Sequence, residues 1–190
     1  MSCGIVVHGA IGSGKTTTCL KLAERARAEG VPVRGILSIR VYQDGTLIGY
    51  DGLDLASGQA FPLVRLRGLA EGSDWFEFGR LKYAFSIPGF ERANRVLTRS
   101  AEVLGHPSIV FVDEFGRLER AGKGIFLGAA RVAEALRGGG VAVFACRTDM
   151  VEVIEKLIRG KAQAVFRHEP GDAEALWREV QGYVRAEYLK

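Results

Sequence analysis

Cysteines are few in this chain of 190 residues, and long apolar runs are missing. The three cysteines, Cys3, Cys19 and Cys146, lie far apart and form no CxxC pair or Cys/His cluster, which argues against a zinc site and a disulfide framework. We therefore expect a reduced, cytoplasmic setting. No segment reaches the roughly 20 apolar residues that a membrane span needs, and the apolar run at residues 5–7 is too short for a signal peptide.

A large excess of one charge is also missing. The chain has 26 Lys and Arg against 22 Asp and Glu, a formal net charge of +4, which favours anionic ligands but is not the polybasic composition of a nucleic-acid-binding protein. Arg92, Arg95 and Arg99 share one face of a predicted helix. We interpret them as a solvated basic face, and docking of an acidic partner or a nucleic-acid backbone is the alternative. We expect no membrane partner.

Repeats, linkers and low-complexity tracts are absent as well, and the length favours one domain over residues 1–190. Apolar runs predict strands at residues 3–8, 33–40, 108–112, 141–145 and 164–166, and helical periodicity predicts helices at 15–29, 88–104, 124–137, 150–159 and 172–183. This alternation is typical of an α/β fold with a mainly parallel sheet, here a three-layer αβα sandwich. The segment at about 41–88, which contains the hairpin signal Asp44-Gly45, is predicted to be a β-rich insertion.

The sharpest motif follows the first predicted strand. Residues 9–16 read GAIGSGKT and fit G-x-x-x-x-G-K-[ST] at every fixed position, a phosphate-binding loop whose backbone N–H groups cradle phosphate oxygens at a helix N-terminus. We expect Lys15 to reach the β- and γ-phosphates and the Thr16 hydroxyl to bind Mg²⁺. The predicted nucleotide-binding residues are Gly9, Ala10, Ile11, Gly12, Ser13, Gly14, Lys15, Thr16 and Thr17.

Two carboxylates follow a second buried strand. Residues 109–114 read IVFVDE, and ligands of parallel sheets bind at the carboxyl ends of the strands. We therefore predict that Asp113 holds Mg²⁺, through a water molecule. Glu114 is predicted to orient the water that attacks the γ-phosphate, or to accept its proton.

With these motifs the chain resembles the large group of P-loop NTPases that carry an additional strand and a catalytic glutamate. In that group an extra strand separates the phosphate-loop strand from the metal-aspartate strand, and residues 33–40 are a candidate for it. More narrowly, the chain is similar to the thermophilic and cancer-related nucleoside-triphosphatases. The matching stretches are 9–17, 35–40, Gly49-Tyr50-Asp51, Phe90-Glu91, Asp113-Glu114-Phe115-Gly116 and Glu119. The resemblance implies a monomeric RecA-like domain that hydrolyses several triphosphates with Mg²⁺ and little base preference.

An added cation would stabilise the charge that develops during triphosphate hydrolysis. Arg40, Arg117 and Arg147 all follow predicted strands on the expected ligand side, and Arg40 and Arg147 are our candidates. The alternative is that they form salt bridges at the rim. Aromatic residues of the insertion are either a cover for a nucleobase or the insertion's own core: Trp75, Phe76, Phe78, Tyr83 and Phe85.

The sequence thus predicts an enzyme that hydrolyses Mg²⁺-bound ATP, GTP and other nucleoside triphosphates. One alternative is a small-molecule, nucleoside or nucleotide kinase, in which Glu114 would activate an acceptor hydroxyl. Another is a nucleotide-dependent switch or assembly factor.

Overall fold

The computed structural model describes residues 1–105 and 107–184. Over these ranges the strands are β1 (Ser2–His8), β2 (Val33–Gln43), β3 (Thr46–Asp54), β4 (Ala60–Leu66), β5 (Trp75–Glu77), β6 (Tyr83–Ser86), β7 (Ile109–Phe115), β8 (Gly140–Cys146) and β9 (Ala164–His168). The α-helices are α1 (Lys15–Ala28), α2 (Ile87–Ala101), α3 (Arg117–Arg120), α4 (Phe126–Ala135), α5 (Val151–Ile158) and α6 (Ala173–Val184).

All the strands join one sheet in the order β5-β6-β4-β3-β2-β7-β8-β1-β9. The five strands from β2 to β9 in this order pair in parallel, whereas β3, β4, β6 and β5 continue the sheet by antiparallel pairing. The predicted insertion therefore extends the main sheet beyond β2. The loop between β2 and β3 is the predicted tight hairpin, because Asp44 and Gly45 both have positive φ, at 48° and 75°.

The strand between β1 and β7 is β8. Our assignment of residues 33–40 to this place was wrong, although the additional strand itself exists. The physical reason lies in burial: all residues of β8 are buried, as a central strand requires, whereas the last residues of β2 run out into an exposed hairpin. In addition, β2 packs so closely on the outer side of β7 that a Cβ at Gly35 would lie 2.1 Å from the Phe111 carbonyl oxygen.

Helices cover both faces of the sheet. α2, α4 and α5 pack on one face, and α1 and α6 pack on the other. β1 serves both cores, because Val6 points into the first while Ile5 and Val7 point into the second. The αβα sandwich predicted from the sequence is confirmed.

Two further findings concern partners. Within the part of the chain that is described, no helix has the length and apolar character to cross a membrane. On the basic face of α2, Arg92 donates to Gln59 Oε1 at 2.6 Å and lies over the Phe61 ring, and Arg95 lies 4.0 Å from Glu91.

Candidate active site

The phosphate-binding loop connects β1 to α1, with Gly12 and Gly14 at φ of 81° and 93°. These left-handed conformations are strained for any residue with a Cβ, which explains glycine at both positions. The first N–H groups of α1 have no partner within the helix and point toward the loop's concave side. Lys15 Nζ donates to the carbonyl oxygens of Gly9 (3.2 Å) and Ala10 (2.8 Å), so its ammonium group lies directly over the loop.

Asp113 lies directly beside the start of α1. Its Oδ2 atom accepts hydrogen bonds from the Thr16 hydroxyl (2.8 Å) and the Ser38 N–H (3.0 Å), and its Oδ1 atom accepts one from the Glu114 N–H (2.8 Å). The side chain is buried, and this loss of water raises its pKa above the ordinary value despite those donors. The structure therefore brings the two predicted metal ligands, Thr16 and Asp113, together.

The donor set fits Mg²⁺. A hydroxyl and a carboxylate are hard oxygen ligands, and Mg²⁺ in phosphate-transfer sites usually takes one or two protein ligands, with the rest from phosphates and water. Among residues 1–105 and 107–184 no group of three or more His, Cys, Asp or Glu side chains forms a metal cage. Thr16 and Asp113 thus supply two oxygen ligands of the kind that suits Mg²⁺.

Glu114 has a backbone conformation that sequence reasoning did not anticipate. Its φ is 64°, and the register of β7 against β8 shifts between Val112 and Phe115. This bulge places an extra residue on β7 and turns the Glu114 side chain outward, where it lines the same cavity as Lys15. A left-handed glutamate costs on the order of 1–2 kcal/mol, and strain of this kind is common at functional sites.

The surroundings of Glu114 change its acidity. The carboxyl is open to the cavity, yet protein atoms surround it on most sides. This desolvation and the nearby Asp113 raise its pKa to about 7, against the opposing charges of Lys15 and Arg40.

The candidate arginines differ in position. Arg40 lies within β2, not after it, and a Cβ at Gly12 would lie 3.3 Å from Arg40 Nη2, so its guanidinium group is above the phosphate loop. Arg147 lines the cavity, but Asp149 holds it through contacts of 3.1 Å and 3.2 Å. Arg117 is exposed on the cavity wall. Arg40 therefore has its guanidinium group close to Gly12 of the loop.

The cavity has a volume of about 600 Å³. One end holds the phosphate loop, Asp113 and Glu114. The other end, which we call the apolar chamber, is lined mainly by Tyr50, Leu63, Val64, Tyr83, Phe85 and Phe90. Of the aromatic residues considered from the sequence, Tyr83 and Phe85 face this chamber, and Phe76 packs against Phe85 with ring centroids 5.5 Å apart.

Comparison with known proteins places the chain in a family. The family described as NTPase matches residues 4–181. The chain belongs to this family. A nucleoside-triphosphatase THEP1 of Methanopyrus kandleri is 31% identical over 69% of this chain and 67% of its own length, and the cancer-related nucleoside-triphosphatase of Homo sapiens is 32% identical over 60% of each. The chain thus spans about three fifths to two thirds of these relatives.

A solved structure supports the fold of this NTPase-family chain. The solution structure of a human cancer-related nucleoside triphosphatase covers 97% of both chains with a TM-score of 0.67 and 24% identity. The family resemblance drawn from the sequence motifs is confirmed, as is the prediction of an NTPase-family enzyme.

Glu119 stabilises the loop beside the site of this NTPase-family member. The sequence motifs included this residue but assigned it no role. Glu119 is buried, and its carboxylate accepts from the Gly116 N–H (2.8 Å) and the Ile125 N–H (2.9 Å). It therefore ties together the segment that follows Glu114. The detectable signal was a Glu three residues after Gly116, which is the spacing of a capping box. Ser38 was missed because its backbone N–H, rather than its side chain, contacts Asp113.

Proposed function

We propose that this chain hydrolyses Mg²⁺-bound nucleoside triphosphates to the diphosphate and phosphate. The observation that carries the proposal is the meeting of three groups in one cavity: the phosphate loop, the Thr16–Asp113 pair joined at 2.8 Å, and the outward-turned Glu114. Phosphoryl transfer to water needs a phosphate-binding site, a metal-binding site and a carboxylate that acts on the attacking water.

Each part has a defined task. The loop N–H groups hold the β- and γ-phosphates, and Lys15 exchanges its contacts with the Gly9 and Ala10 carbonyls for phosphate oxygens. Thr16 and Asp113 hold the metal, and when bound, Mg²⁺ neutralises charge on the phosphate oxygens. Glu114 orients a water molecule toward the γ-phosphorus and takes its proton. Arg40, above Gly12, stabilises the charge that develops on the γ-phosphoryl group.

We propose further that the enzyme accepts several bases. The groups assembled here contact phosphates and metal, which all nucleoside triphosphates share. The relatives are named for nucleoside triphosphates as a class, not for one base.

The test is release of free phosphate from ATP, GTP, CTP and UTP, each with Mg²⁺ and with EDTA in its place. We expect release from all four with Mg²⁺ and loss of release with EDTA. Thr16→Ala is expected to raise the Mg²⁺ concentration needed for half-maximal release, with Thr46→Ala, an exposed threonine outside the cavity, as the matched control. Release that is unaffected by EDTA would contradict the metal site, and release from one triphosphate only would contradict broad base use.

A further inference from the structure

The two ends of the cavity differ in chemistry. The phosphate end presents backbone N–H groups, Lys15 and carboxylates. The apolar chamber presents aliphatic and aromatic side chains, of which Tyr50, Val64, Tyr83 and Phe90 are half-buried and so offer surface to a ligand. Pockets with mostly apolar walls and a few polar groups bind organic molecules, whereas one attacking water needs only a small polar site. The chamber is therefore larger and more apolar than hydrolysis requires.

The chamber lies beyond the γ-phosphate end of the proposed triphosphate-binding site. Its walls come from β3, β4, β6 and α2, on the far side of β2 and β7 from the phosphate-loop strand β1. Glu114 lies between the loop and these walls. Because the attacking and leaving oxygens stand on opposite sides of the γ-phosphorus, a molecule in the chamber is on the side of attack.

The other side of the loop is closed by a different segment. A Cβ at Gly14 would lie 4.0 Å from Pro170, and the Gly171 N–H donates to the Thr18 hydroxyl at 3.0 Å. This β9–α6 connection flanks the side of the loop away from Glu114, and in the proposed function we place the nucleoside end of the triphosphate on that side. The chamber is thus not needed for the base of the bound triphosphate.

Two tyrosines supply polar groups within the chamber, and Lys82, which also lines the cavity, has its Nζ atom 5.0 Å from the centroid of the Tyr83 ring. The rings of Tyr50 and Tyr83 meet edge to face with centroids 6.0 Å apart. The Tyr50 hydroxyl is close enough to Glu114 and Arg40 for both charges to act on its pKa, Glu114 by raising it and Arg40 by lowering it. A ring-shaped ligand packed beside these residues would therefore hold its own polar group near Glu114.

We propose that the apolar chamber binds an aromatic alcohol, and that its hydroxyl oxygen takes the γ-phosphoryl group in place of water. The inference rests on the proposed function, because it uses the same triphosphate-binding site. The acceptor oxygen forms a bond to the γ-phosphorus while its proton passes to the Glu114 carboxylate. The bond from the γ-phosphorus to the bridging oxygen breaks, and its electron pair leaves on the nucleoside diphosphate. The products are a phosphate monoester and the diphosphate.

The experiment uses the full chain with Mg²⁺ and ATP radiolabelled at the γ-phosphate. Adenosine, uridine, thymidine and benzyl alcohol are added separately as acceptor probes. Chromatography separates labelled monoester from labelled free phosphate in each reaction. We expect labelled monoester with at least one probe, and less free phosphate as that probe's concentration rises, because probe and water compete for one phosphoryl group.

A filled chamber provides the structural control. Val64→Trp places an indole in the chamber and should lower the ratio of monoester to free phosphate about tenfold or more. Val165→Trp makes the same chemical change on the exposed edge strand β9, outside the cavity, and should keep the wild-type ratio. If Val64→Trp fails to fold, as judged by circular dichroism, Tyr83→Ala replaces it and should also lower the ratio.

The outcomes separate this inference from the proposed function. Free phosphate without monoester from any probe would leave hydrolysis standing and overturn the acceptor chamber. Monoester formation with an equal ratio in Val64→Trp and Val165→Trp would also overturn it. Monoester without free phosphate would support the chamber and overturn hydrolysis as the main activity. Neither product from wild type would overturn both.

Discussion

Removal of the Glu119 carboxylate should loosen the segment that follows the catalytic candidate Glu114. In Glu119→Ala the N–H groups of Gly116 and Ile125 lose their acceptor. A buried donor left without a partner costs about 1–3 kcal/mol. The Ile125 N–H is buried and the Gly116 N–H is part-buried, so the second loss adds less than the first. In a chain of this size, 1 kcal/mol corresponds to about 2–4 °C in Tm.

Two further substitutions test the same carboxylate, one by changing its hydrogen-bonding atoms and one by displacing it. In Glu119→Gln one amide oxygen remains as an acceptor while the amide NH₂ group opposes the second N–H, so about half of the loss is expected. Gly124 has φ of 61°, and a Cβ there would lie 2.1 Å from Glu119 Oε1. Gly124→Ala should therefore displace the carboxylate and resemble Glu119→Ala, whereas Gly122→Ala, with a φ of 70° but no atom within 4 Å, should cost only the backbone strain.

The assay is thermal and urea unfolding of these variants, with phosphate release measured below the lowest Tm. We expect wild type to be the most stable, followed by Gly122→Ala and then Glu119→Gln. The single variants Glu119→Ala and Gly124→Ala should be the least stable. The kcat should fall with the loss of Glu119, because the bulge that carries Glu114 is continuous with the loosened segment. Equal stability of Glu119→Ala and wild type would refute the reasoning.

The remaining predictions concern packing, charge and metal. Gly35→Ala should lower the free energy of unfolding by at least about 3 kcal/mol, since its Cβ meets the backbone of β7. Gly30→Ala has open space around it and should lower the free energy of unfolding by about 1 kcal/mol. Similar urea midpoints for the two variants would contradict this prediction. Arg40→Ala should lower kcat about tenfold to a thousandfold and Arg147→Ala much less, and an unchanged kcat for Arg40→Ala would exclude its charge-stabilising role. Asp113→Asn should raise the Mg²⁺ concentration needed for half-maximal phosphate release, and an unaltered requirement would contradict its role as a metal ligand.

Much of the fold followed from local sequence patterns. The run IVFVD and the motif GAIGSGKT have strong periodicity and fixed turn chemistry, so β1, β7 and the loop were predictable. Strand order was not, because it depends on which apolar runs are buried on both faces. The short β8 run proved to be the central strand of the parallel part of the sheet, between β7 and β1, and the longer β2 run proved to pair with the outer side of β7.

The candidate site was predictable in composition but not in geometry. The pairing of Thr16 with Asp113 follows from two motifs that meet at the carboxyl end of a parallel sheet. The bulge at Glu114 depends on pairing with β8, which no local pattern in residues 109–115 reveals. The placement of Arg40 above Gly12 likewise depends on the length of β2 and its tight hairpin, and the apolar chamber depends on how β4 and β6 extend the sheet.

The central claim is that Glu114 positions and deprotonates the attacking water in a site that binds Mg²⁺ and triphosphate without it. The most direct measurement is the kcat for phosphate release together with the Kd for a non-hydrolysable triphosphate, in Glu114→Gln and in Glu71→Gln, an exposed glutamate outside the cavity. Glu114→Gln should keep the Kd and lower kcat about a hundredfold to ten-thousandfold, while Glu71→Gln keeps both. Full turnover in Glu114→Gln with intact binding would contradict the account.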